Sequence, residues 1–452
     1  MNLLRRTRME LSDAIRFSRV MRCAASATLQ FRSSLCHIRQ TSGIVAEDVA
    51  QLCRAARVTP LQWDRLQLER KIKSKIDRIT MQDVPWDRLW PRSNTPAMHK
   101  AIILKVPGHS PGERGVLLVS FEEQWVRIFR HANIQALADD YDLLVAPSWS
   151  PPHDPALLIA ARGWPRPLFH LLSNMDDREA FARLLPNGVA VSLLASNWVH
   201  PELFAPRSAG SEKSYDIVMV ANFAIYKRHF LLFKAMRQLP NVRALLIGHP
   251  MEGRTTETIL RQAAQFGVQD RITIRSRISD AELVDSVGAA SLSVILSQNE
   301  GSCVAVVESI MADTPVLLLK EAIVGSRCFV NDATGVLADE RRLASDIKQA
   351  LARRGSFSPR KWALDNRIDC FGSTATLNCV LKEHANQRGE RWTEDIVPHH
   401  WRPNPSYVRS SDQKQFAPLI FDFQNRYGVA IDYTDYSVND SPLTSRNRVE
   451  QG

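Results

Sequence analysis

Short apolar runs alternate with helix-type segments over residues 214–352, and this alternation limits what the chain can fold into. Runs suited to buried strands occur at residues 216–221, 242–248, 271–275 and 292–297. Segments with helical spacing of apolar residues lie between them, for example at 231–239 and 304–312. Buried strands that alternate with helices are typical of a parallel sheet covered on both faces. The sequence therefore predicts an α/β fold for this region.

Two carboxylates flank the strand-to-helix turn that follows residues 292–297. Glu300 stands at the mouth of the predicted helix, and Glu308 follows eight residues later. A rise of about 1.5 Å per residue places them about 12 Å apart on nearly the same face. That exceeds the roughly 5–9.5 Å between the carboxyl groups of a glycosidase. The spacing suits two contacts with one elongated, hydroxyl-rich ligand whose diphosphate lies at the helix N-terminus. A pair of solvated surface glutamates is the alternative interpretation.

In this order the segments resemble the retaining, nucleotide-sugar-dependent glycosyltransferases of the GT-B fold, often called family 4. Glu300 and Glu308 match the E-x7-E motif of that family. Residues 278–283 match a helix start in which Ser279 and Glu282 form a capping box. The likeness covers roughly residues 214–352. It implies two Rossmann-like domains that face a central cleft, here with extra N-terminal helices.

The resemblance also implies roles for individual residues of a donor site. Lys227 would neutralise the donor diphosphate as the glycosidic bond breaks, because a fixed cation stabilises the developing charge. Glu308 would bind the ribose hydroxyls of the nucleotide. Glu300 would hold the sugar and phosphate together with the backbone N–H groups of a short tract, where the helix dipole assists. That tract consists of Gly301, Ser302 and Cys303.

One position departs from the family pattern. The arginine expected after the first strand is Asn222 in this chain. Arg228, which follows Lys227, is one candidate to supply the missing charge, and His229 is another. The departure also motivates an alternative: a catalytically degenerate relative that acts as a binding or scaffold protein. A second alternative is a sugar-nucleotide epimerase of the same fold, since fold alone does not determine the reaction.

The implied reaction is hexose transfer to a hydroxyl acceptor with retention, by front-face attack in which the departing phosphate takes the acceptor proton. Neither a metal nor a cofactor is expected, because Lys227 and a helix N-terminus would neutralise the leaving group. The paired acids at 139–140 and 176–177 lack the turn context of an Asp-x-Asp metal site. The partners would be a nucleotide-sugar and an unidentified acceptor.

The N-terminal half supplies the candidate acceptor residues. Predicted strands at 101–106, 143–146, 168–172 and 189–193 alternate with helices, which indicates a parallel sheet. The strand at 101–106 leads into a glycine-rich loop, 107–115, which contains His109 and lacks the spacing of a dinucleotide fingerprint. In the tract 145–154, which corresponds to the region of the family's acceptor histidine, the histidine is displaced to His153. Asn174 and Asp176 follow a further strand at 168–172. Each of these side chains can also be an ordinary solvated loop residue.

Length and composition support a chain of several parts. With 452 residues and 44% hydrophobic content, the chain can bury two ordinary domains. From the N-terminus, the predicted parts are a basic extension at 1–43, disordered or targeting; a helical segment at 44–95; an acceptor domain at 96–206; a polar linker at 207–213; a nucleotide-sugar domain at 214–355; C-terminal helices and an extension at 356–432; and a disordered tail at 433–452.

Cysteine use and hydropathy bear on location. Seven cysteines show no paired spacing, which is typical of reduced thiols in a cytoplasmic protein. No run approaches the roughly 18 apolar residues of a membrane-spanning helix. Basic residues of the body are interspersed with acidic ones, so nucleic-acid binding is disfavoured.

The first 40 residues hold much of the positive charge. Eight arginines and two acidic residues give them a net charge of +6, out of +10 for the chain. Such a segment resembles a transit peptide. It can equally lie on an anionic membrane surface as a peripheral contact. A disordered extension, with Met9 or Met21 as the true start, is the third interpretation.

Overall fold

The computed structural model describes residues 2–36, 44–108, 112–147, 152–208, 211–401 and 404–432. Over these ranges the fold is mixed α/β, as the strand and helix pattern predicts. His109 lies outside the described residues, and so does the predicted disordered tail at 433–452.

The helices are α1 (Asn2–Phe17), α2 (Arg19–Cys36), α3 (Ile44–Val58), α4 (Gln62–Ile76), α5 (Trp86–Leu89), α6 (Glu122–His131), α7 (Ile134–Asp140), α8 (Pro155–Gly163), α9 (Arg178–Leu184), α10 (His229–Met236), α11 (Thr256–Phe266), α12 (Asp280–Gly288), α13 (Val304–Met311), α14 (Leu343–Ala352), α15 (Pro359–Asp365), α16 (Cys370–Gln387) and α17 (Ser410–Tyr427).

The strands are β1 (Ala97–Met98), β2 (Ala101–Lys105), β3 (Gly115–Ser120), β4 (Tyr141–Ala146), β5 (Leu168–Leu172), β6 (Gly188–Leu194), β7 (Tyr215–Val220), β8 (Ala244–Ile247), β9 (Ile272–Arg275), β10 (Ala290–Ile295), β11 (Val316–Leu319), β12 (Gly335–Ala338), β13 (His399–Trp401), β14 (Pro405–Tyr407) and β15 (Ala430–Ile431).

The chain divides into two compact units. The C-terminal unit is built on Ser196–Ser373 and includes the start of α1. The N-terminal unit is built on Asp13–Ala195 and also takes in the described residues from Thr374 onward. The division falls before the predicted linker at 207–213, so residues 196–206 group with the C-terminal unit.

The C-terminal unit contains a six-stranded sheet in the order β12-β11-β10-β7-β8-β9, and every neighbouring pair is parallel. The four strands predicted over residues 214–352 are all present, and β11 and β12 extend the sheet beyond them. The capping box that starts α12 is also confirmed, because Ser279 accepts from the Glu282 N–H and Glu282 accepts from the Ser279 N–H. Gly248 follows β8, and a Cβ there would lie 2.0 Å from the carbonyl oxygen of Ala221. Only glycine allows this approach.

The N-terminal unit contains a five-stranded sheet in the order β2-β3-β4-β5-β6. Strand β2 is antiparallel to β3, whereas the other pairs are parallel. The wholly parallel sheet expected here is therefore wrong at one edge, because β3 is not among the predicted strands. Gly115 is the first residue of β3, not the last of a loop. A Cβ on it would lie 2.6 Å from both the Lys105 carbonyl oxygen and the Tyr141 ring.

Helices precede the sheet of the N-terminal unit. The expected helical segment at 44–95 contains α3 and α4, and residues 2–36 form α1 and α2. Residues 37–43 of the basic extension are outside the described ranges. Within the described residues, every helix is too short or too polar to cross a bilayer.

Candidate active site

The carboxyl ends of β7 and β10 bring the candidate donor residues together. These two strands are parallel neighbours, so the segments that follow them emerge at the same edge of the sheet. Asn222 and Lys227 follow β7, and Glu300 follows β10. The edge of an open parallel sheet beyond its carboxyl ends is where such folds bind ligands.

Lys227 and Glu300 meet directly at this edge. Lys227 Nζ lies 2.7 Å from Glu300 Oε1, and the two side chains are 13% and 11% exposed. Burial alone would lower the pKa of Lys227, but the neighbouring Glu300 carboxylate outweighs it and holds that pKa above its usual value. The lysine is therefore a permanent cation that remains partly accessible to solvent.

The turn before α13 presents backbone donors beside this pair. The carbonyl groups of Gly301 and Ser302 accept from the N–H groups of Gly325 and Ser326, which holds the turn in place. Among the described residues, no acceptor faces the N–H groups of Gly301, Ser302 or Cys303. Unpaired N–H groups at a helix start form a site for an anion, and the helix dipole adds to it.

Side chains of the same turn have structural partners. Ser302 is buried, and its Oγ accepts from the Ser196 N–H at 2.7 Å. Cys303 adopts a left-handed backbone with φ of 52° at the start of α13. Burial, and then the Glu300 carboxylate, raise the pKa of the Cys303 thiol, with a further contribution from Glu308. Cys303 is thus a neutral thiol, and Glu308 lies buried in α13 close enough to influence it.

Arg228 is adjacent to Lys227 but is already paired. Its guanidinium donates to both carboxylate oxygens of Glu340 at 2.9 Å and to Gln298 at 3.2 Å. The backbone of Arg228 is left-handed, with φ of 56°, where the chain enters α10. Its charge is therefore balanced in this structure. Asn222 caps its own turn, because its Oδ1 accepts from the Ala224 N–H at 3.3 Å.

His229 is buried and neutral. Burial, together with the charges of Arg254 and Lys227, lowers its pKa to about 3. It therefore cannot supply positive charge at neutral pH. Arg254, on the turn after β8, is a basic residue near this edge, and it is not among the residues that the family resemblance implies. Its position beyond the carboxyl end of a neighbouring strand is the signal that could have found it.

In the N-terminal unit, three candidate acceptor residues lie beyond the carboxyl ends of β4 and β5. His153 is buried, and its Nε2 lies 2.8 Å from Glu69 Oε1. Burial lowers the pKa of His153, although Glu69 opposes this. Asn174 accepts from the Asp176 N–H at 3.1 Å, and the Asp176 side chain is exposed.

Residues 107–108 and 112–114, the described part of the glycine-rich loop, lie at the other end of the same sheet. The loop joins β2 to the antiparallel strand β3, so these residues lie where the parallel strands begin. His153, Asn174 and Asp176 follow strands where they end. The described residues of this loop are therefore not beside the other acceptor candidates, and His109 is not among those described.

Comparison with known proteins gives an independent indication of chemistry. Residues 203–362 match the family model described as glycosyl transferases group 1. The chain is 30% identical over 172 residues to a GDP-mannose:cellobiosyl-diphosphopolyprenol alpha-mannosyltransferase of Komagataeibacter xylinus. This match covers 37% of this chain and 44% of that protein. It is 30% identical over 193 residues to a D-inositol 3-phosphate glycosyltransferase of Mycolicibacterium smegmatis, covering 41% of this chain and 42% of that protein.

The chain thus spans less than half the length of these curated relatives. Among solved structures, the sucrose-phosphate synthase of Thermosynechococcus elongatus is 15% identical, with a TM-score of 0.49, over 73% of this chain and 82% of that chain. The family match contains the whole of the Lys227–Glu300 site and ends within α15. Residues 203–362 are therefore similar to the glycosyl transferases group 1 family, and this similarity supports glycosyl transfer as the chemistry of the site.

Proposed function

We propose that this protein is a retaining glycosyltransferase that moves a hexose from a nucleotide-sugar donor to a hydroxyl acceptor. One observation carries the proposal: a partly accessible Lys227–Glu300 pair, 2.7 Å apart, beside the N–H groups at the start of α13. A cation and an anion-binding helix start, side by side at a sheet edge, suit a diphosphate whose negative charge grows as a bond breaks.

Each residue would make a distinct contact with the donor. Lys227 would bind the diphosphate, assisted by the N–H groups of Gly301 and Cys303. Glu300 would accept hydrogen bonds from sugar hydroxyls, and Glu308 would accept them from the ribose. Neither carboxylate needs to act as a nucleophile, because a phosphate oxygen of the leaving group can take the acceptor proton on the same face.

The acceptor and the setting belong to the same proposal. Asn174 and Asp176 are the candidates for acceptor contacts, since Asp176 is exposed at a sheet edge. His153 fits this role less well, because Glu69 occupies its Nε2.

We place the activity in the cytoplasm, and the absence of disulfides among the described cysteines supports a reducing compartment. Transfer is proposed to need no metal, because Lys227 and the helix start would carry the neutralising charge.

A second candidate function is nucleotide-sugar binding without turnover. Asn222 stands where the resemblance expects an arginine, and the Arg228 guanidinium is balanced by Glu340. The diphosphate would then have one cation fewer beside it. The protein would still bind the nucleotide-sugar, but it would stabilise the diphosphate leaving group less in the transition state.

The test begins with thermal shifts of the purified chain against UDP, GDP, ADP and their hexose conjugates, with and without EDTA. Ligands that bind only the folded state raise its melting temperature. We expect a selective shift that EDTA leaves intact and that Glu308→Gln reduces. Donor turnover on acceptor candidates, with NMR of the product anomer, would then establish retention. Binding with no turnover on any acceptor favours the second candidate, and no shift with any nucleotide overturns both.

A further inference from the structure

Helix α2 is held against the N-terminal unit by its polar side chains. Ser26 donates to the carbonyl oxygen of Ala55 at 3.2 Å, and Gln30 donates to Asp64 at 3.2 Å. Arg22 Nε donates to the carbonyl oxygen of Val58 at 3.0 Å. Ser33, one turn after Gln30, is hydrogen-bonded to Asp48. Because these contacts are spaced three or four residues apart, they fix which side of α2 faces the protein.

The opposite side of α2 is apolar and exposed. Val20 is 75% exposed, Phe31 63%, Met21 50% and Leu35 43%. At 100° per residue, Val20, Phe31 and Leu35 lie within one narrow sector, with Ala24 between them. We call Val20, Met21, Ala24, Phe31 and Leu35 the outer face of α2.

This arrangement reverses the usual pattern of a surface helix. Such helices normally turn an apolar stripe toward the core and a polar face toward water. Rotation of α2 would bury Phe31, but it would break the hydrogen bonds of Ser26, Gln30 and Ser33. The outer face is therefore a fixed property of the folded unit.

The charge of the helix indicates what covers this face. Helix α2 contains Arg19, Arg22 and Arg32 and no acidic residue. Arg19 and Arg32 are exposed, and Arg16 is exposed just before the helix. At 100° per residue Arg32 borders the outer face, whereas Arg19 lies on the side of Ser26 at the exposed start of the helix. Apolar side chains with arginine at their border and positive charge nearby are the features of a helix that lies in the interface of an anionic membrane.

We propose that the outer face of α2 binds the surface of membranes that contain anionic lipids. The helix would lie parallel to the surface, with Phe31, Val20 and Leu35 inserted among the acyl chains. Arg32 would then reach the phosphate groups of the lipids, and the exposed Arg19 at the start of the helix would add positive charge near the surface. This peripheral contact is independent of the donor site, which lies in the other unit.

A second copy of the chain fits the outer face less well. An 18-residue helix is about 27 Å long and about 10 Å wide, so it presents roughly 300 Å². A stable protein interface buries about 800 Å² on each partner. Two outer faces brought together would also oppose arginines with no acidic residue of α2 to compensate them.

Co-sedimentation of the full-length chain with vesicles tests the proposal. The vesicles are pure phosphatidylcholine, or phosphatidylcholine with about 30% phosphatidylserine. We expect the wild type to sediment with the anionic vesicles and much less with the neutral ones. Phe31→Glu should lower the partition coefficient at least about tenfold, because it removes the largest inserted side chain and adds repulsion. Arg19→Gln with Arg32→Gln should lower it about tenfold on anionic vesicles only.

Phe421→Glu is the matched control, because Phe421 is 88% exposed on α17 of the same unit. It should bind vesicles like the wild type, and all variants should keep the wild-type melting temperature and nucleotide shift. The proposal is overturned if the wild type ignores anionic vesicles, or if Phe421→Glu loses as much as Phe31→Glu. It is also overturned if Phe31→Glu turns a dimer into a monomer in sedimentation velocity while vesicle binding is unchanged.

Discussion

Lys105 and Glu113, in the N-terminal unit, form an ion pair with the same 2.7 Å separation as Lys227 and Glu300 in the C-terminal unit. The side chains of the first pair are only 2% and 3% exposed. Glu113 also accepts from the N–H and hydroxyl of Thr393, and the Lys105 ammonium lies 3.9 Å from the Trp392 ring centre. Both members of this pair are therefore engaged by groups of the protein itself.

The Lys227–Glu300 pair has more open surroundings. Both of its side chains are more than 10% exposed, and N–H groups without an acceptor in the described residues stand beside it. The pair also lies beyond the carboxyl ends of parallel strands, whereas Lys105 and Glu113 lie where the parallel strands of their sheet begin. An ion pair alone therefore does not identify a ligand site. The second pair is the candidate because its side chains are accessible and N–H groups beside it have no acceptor among the described residues.

The largest effect should follow from breaking the buried pair. Glu113→Ala leaves the Lys105 ammonium buried without its counter-ion, so we expect the free energy of unfolding to fall by about 3–5 kcal/mol. Urea denaturation measures this. Glu179→Ala is the control, because its side chain is 91% exposed in the same unit. A loss as small as that of the control would mean that Lys105 is solvated, against its observed burial.

The Glu113 carboxyl should also make the free energy of unfolding depend on pH under acidic conditions. Burial would raise the pKa of Glu113, but Lys105 and Thr393 outweigh it and hold the pKa at about 2, below the ordinary 4.5. A carboxyl with a depressed pKa stabilises the fold fully above its unfolded pKa. Its contribution should therefore be complete above about pH 4.5 and should be lost as the pH falls toward 2. Glu113→Ala should flatten the stability profile over that interval.

The next largest effect concerns the accessible lysine. Lys227→Ala should lower the rate of glycosyl transfer by about 10²–10³, the usual cost of removing one group that stabilises developing charge. Affinity for the free nucleoside should be unchanged, because the nucleoside lacks the diphosphate. Lys213→Ala is the control, since Lys213 donates to the Gly288 carbonyl oxygen of the same unit. Equal losses for nucleoside and diphosphate would contradict the phosphate role.

The contrast between the two ion pairs also bears on which features of the protein can be predicted from the sequence alone. The cap at Ser279 follows from a local spacing and is confirmed, whereas Glu300 and Lys227 are predicted from short motifs that resemble those of a known family. The pairing of Arg228 with Glu340 joins positions 112 residues apart, and that of His153 with Glu69 joins positions 84 apart. No local pattern encodes such contacts, since they depend on how separate helices and loops converge in three dimensions.

Strand β3 was missed for a related reason. Its residues are apolar, but they follow the glycine-rich loop directly, and Gly115 reads locally as part of that loop. The requirement for glycine comes from the nearby Lys105 backbone and Tyr141 ring, which only the folded sheet supplies. The antiparallel edge, and with it the position of the loop, could not be read from local sequence.

Glu308 distinguishes nucleoside binding from diphosphate binding. Glu308→Gln should weaken nucleotide binding about tenfold or more, because a charged acceptor for two ribose hydroxyls becomes a neutral amide. Isothermal titration with the nucleotide that gives the largest thermal shift measures this. The corresponding 2′,3′-dideoxy nucleotide should bind wild type and variant equally. If the variant weakens both ligands to the same degree, Glu308 acts through the helix and not through the ribose.

The smallest expected effect on stability is that of Glu300→Gln. It is the most discriminating test, because it changes the carboxylate of the Lys227–Glu300 pair as Glu113→Ala changes that of the buried pair. Glu300→Gln should lower the free energy of unfolding by about 1 kcal/mol or less, since the amide oxygen can still accept from Lys227 and the ammonium reaches solvent. Affinity for the free nucleoside diphosphate should not fall, because the variant leaves the lysine charge uncompensated. Transfer from the nucleotide-sugar should decrease, because Glu300 would contact the sugar. A stability loss as large as that of Glu113→Ala would make both pairs structural and would remove the main support for the donor site.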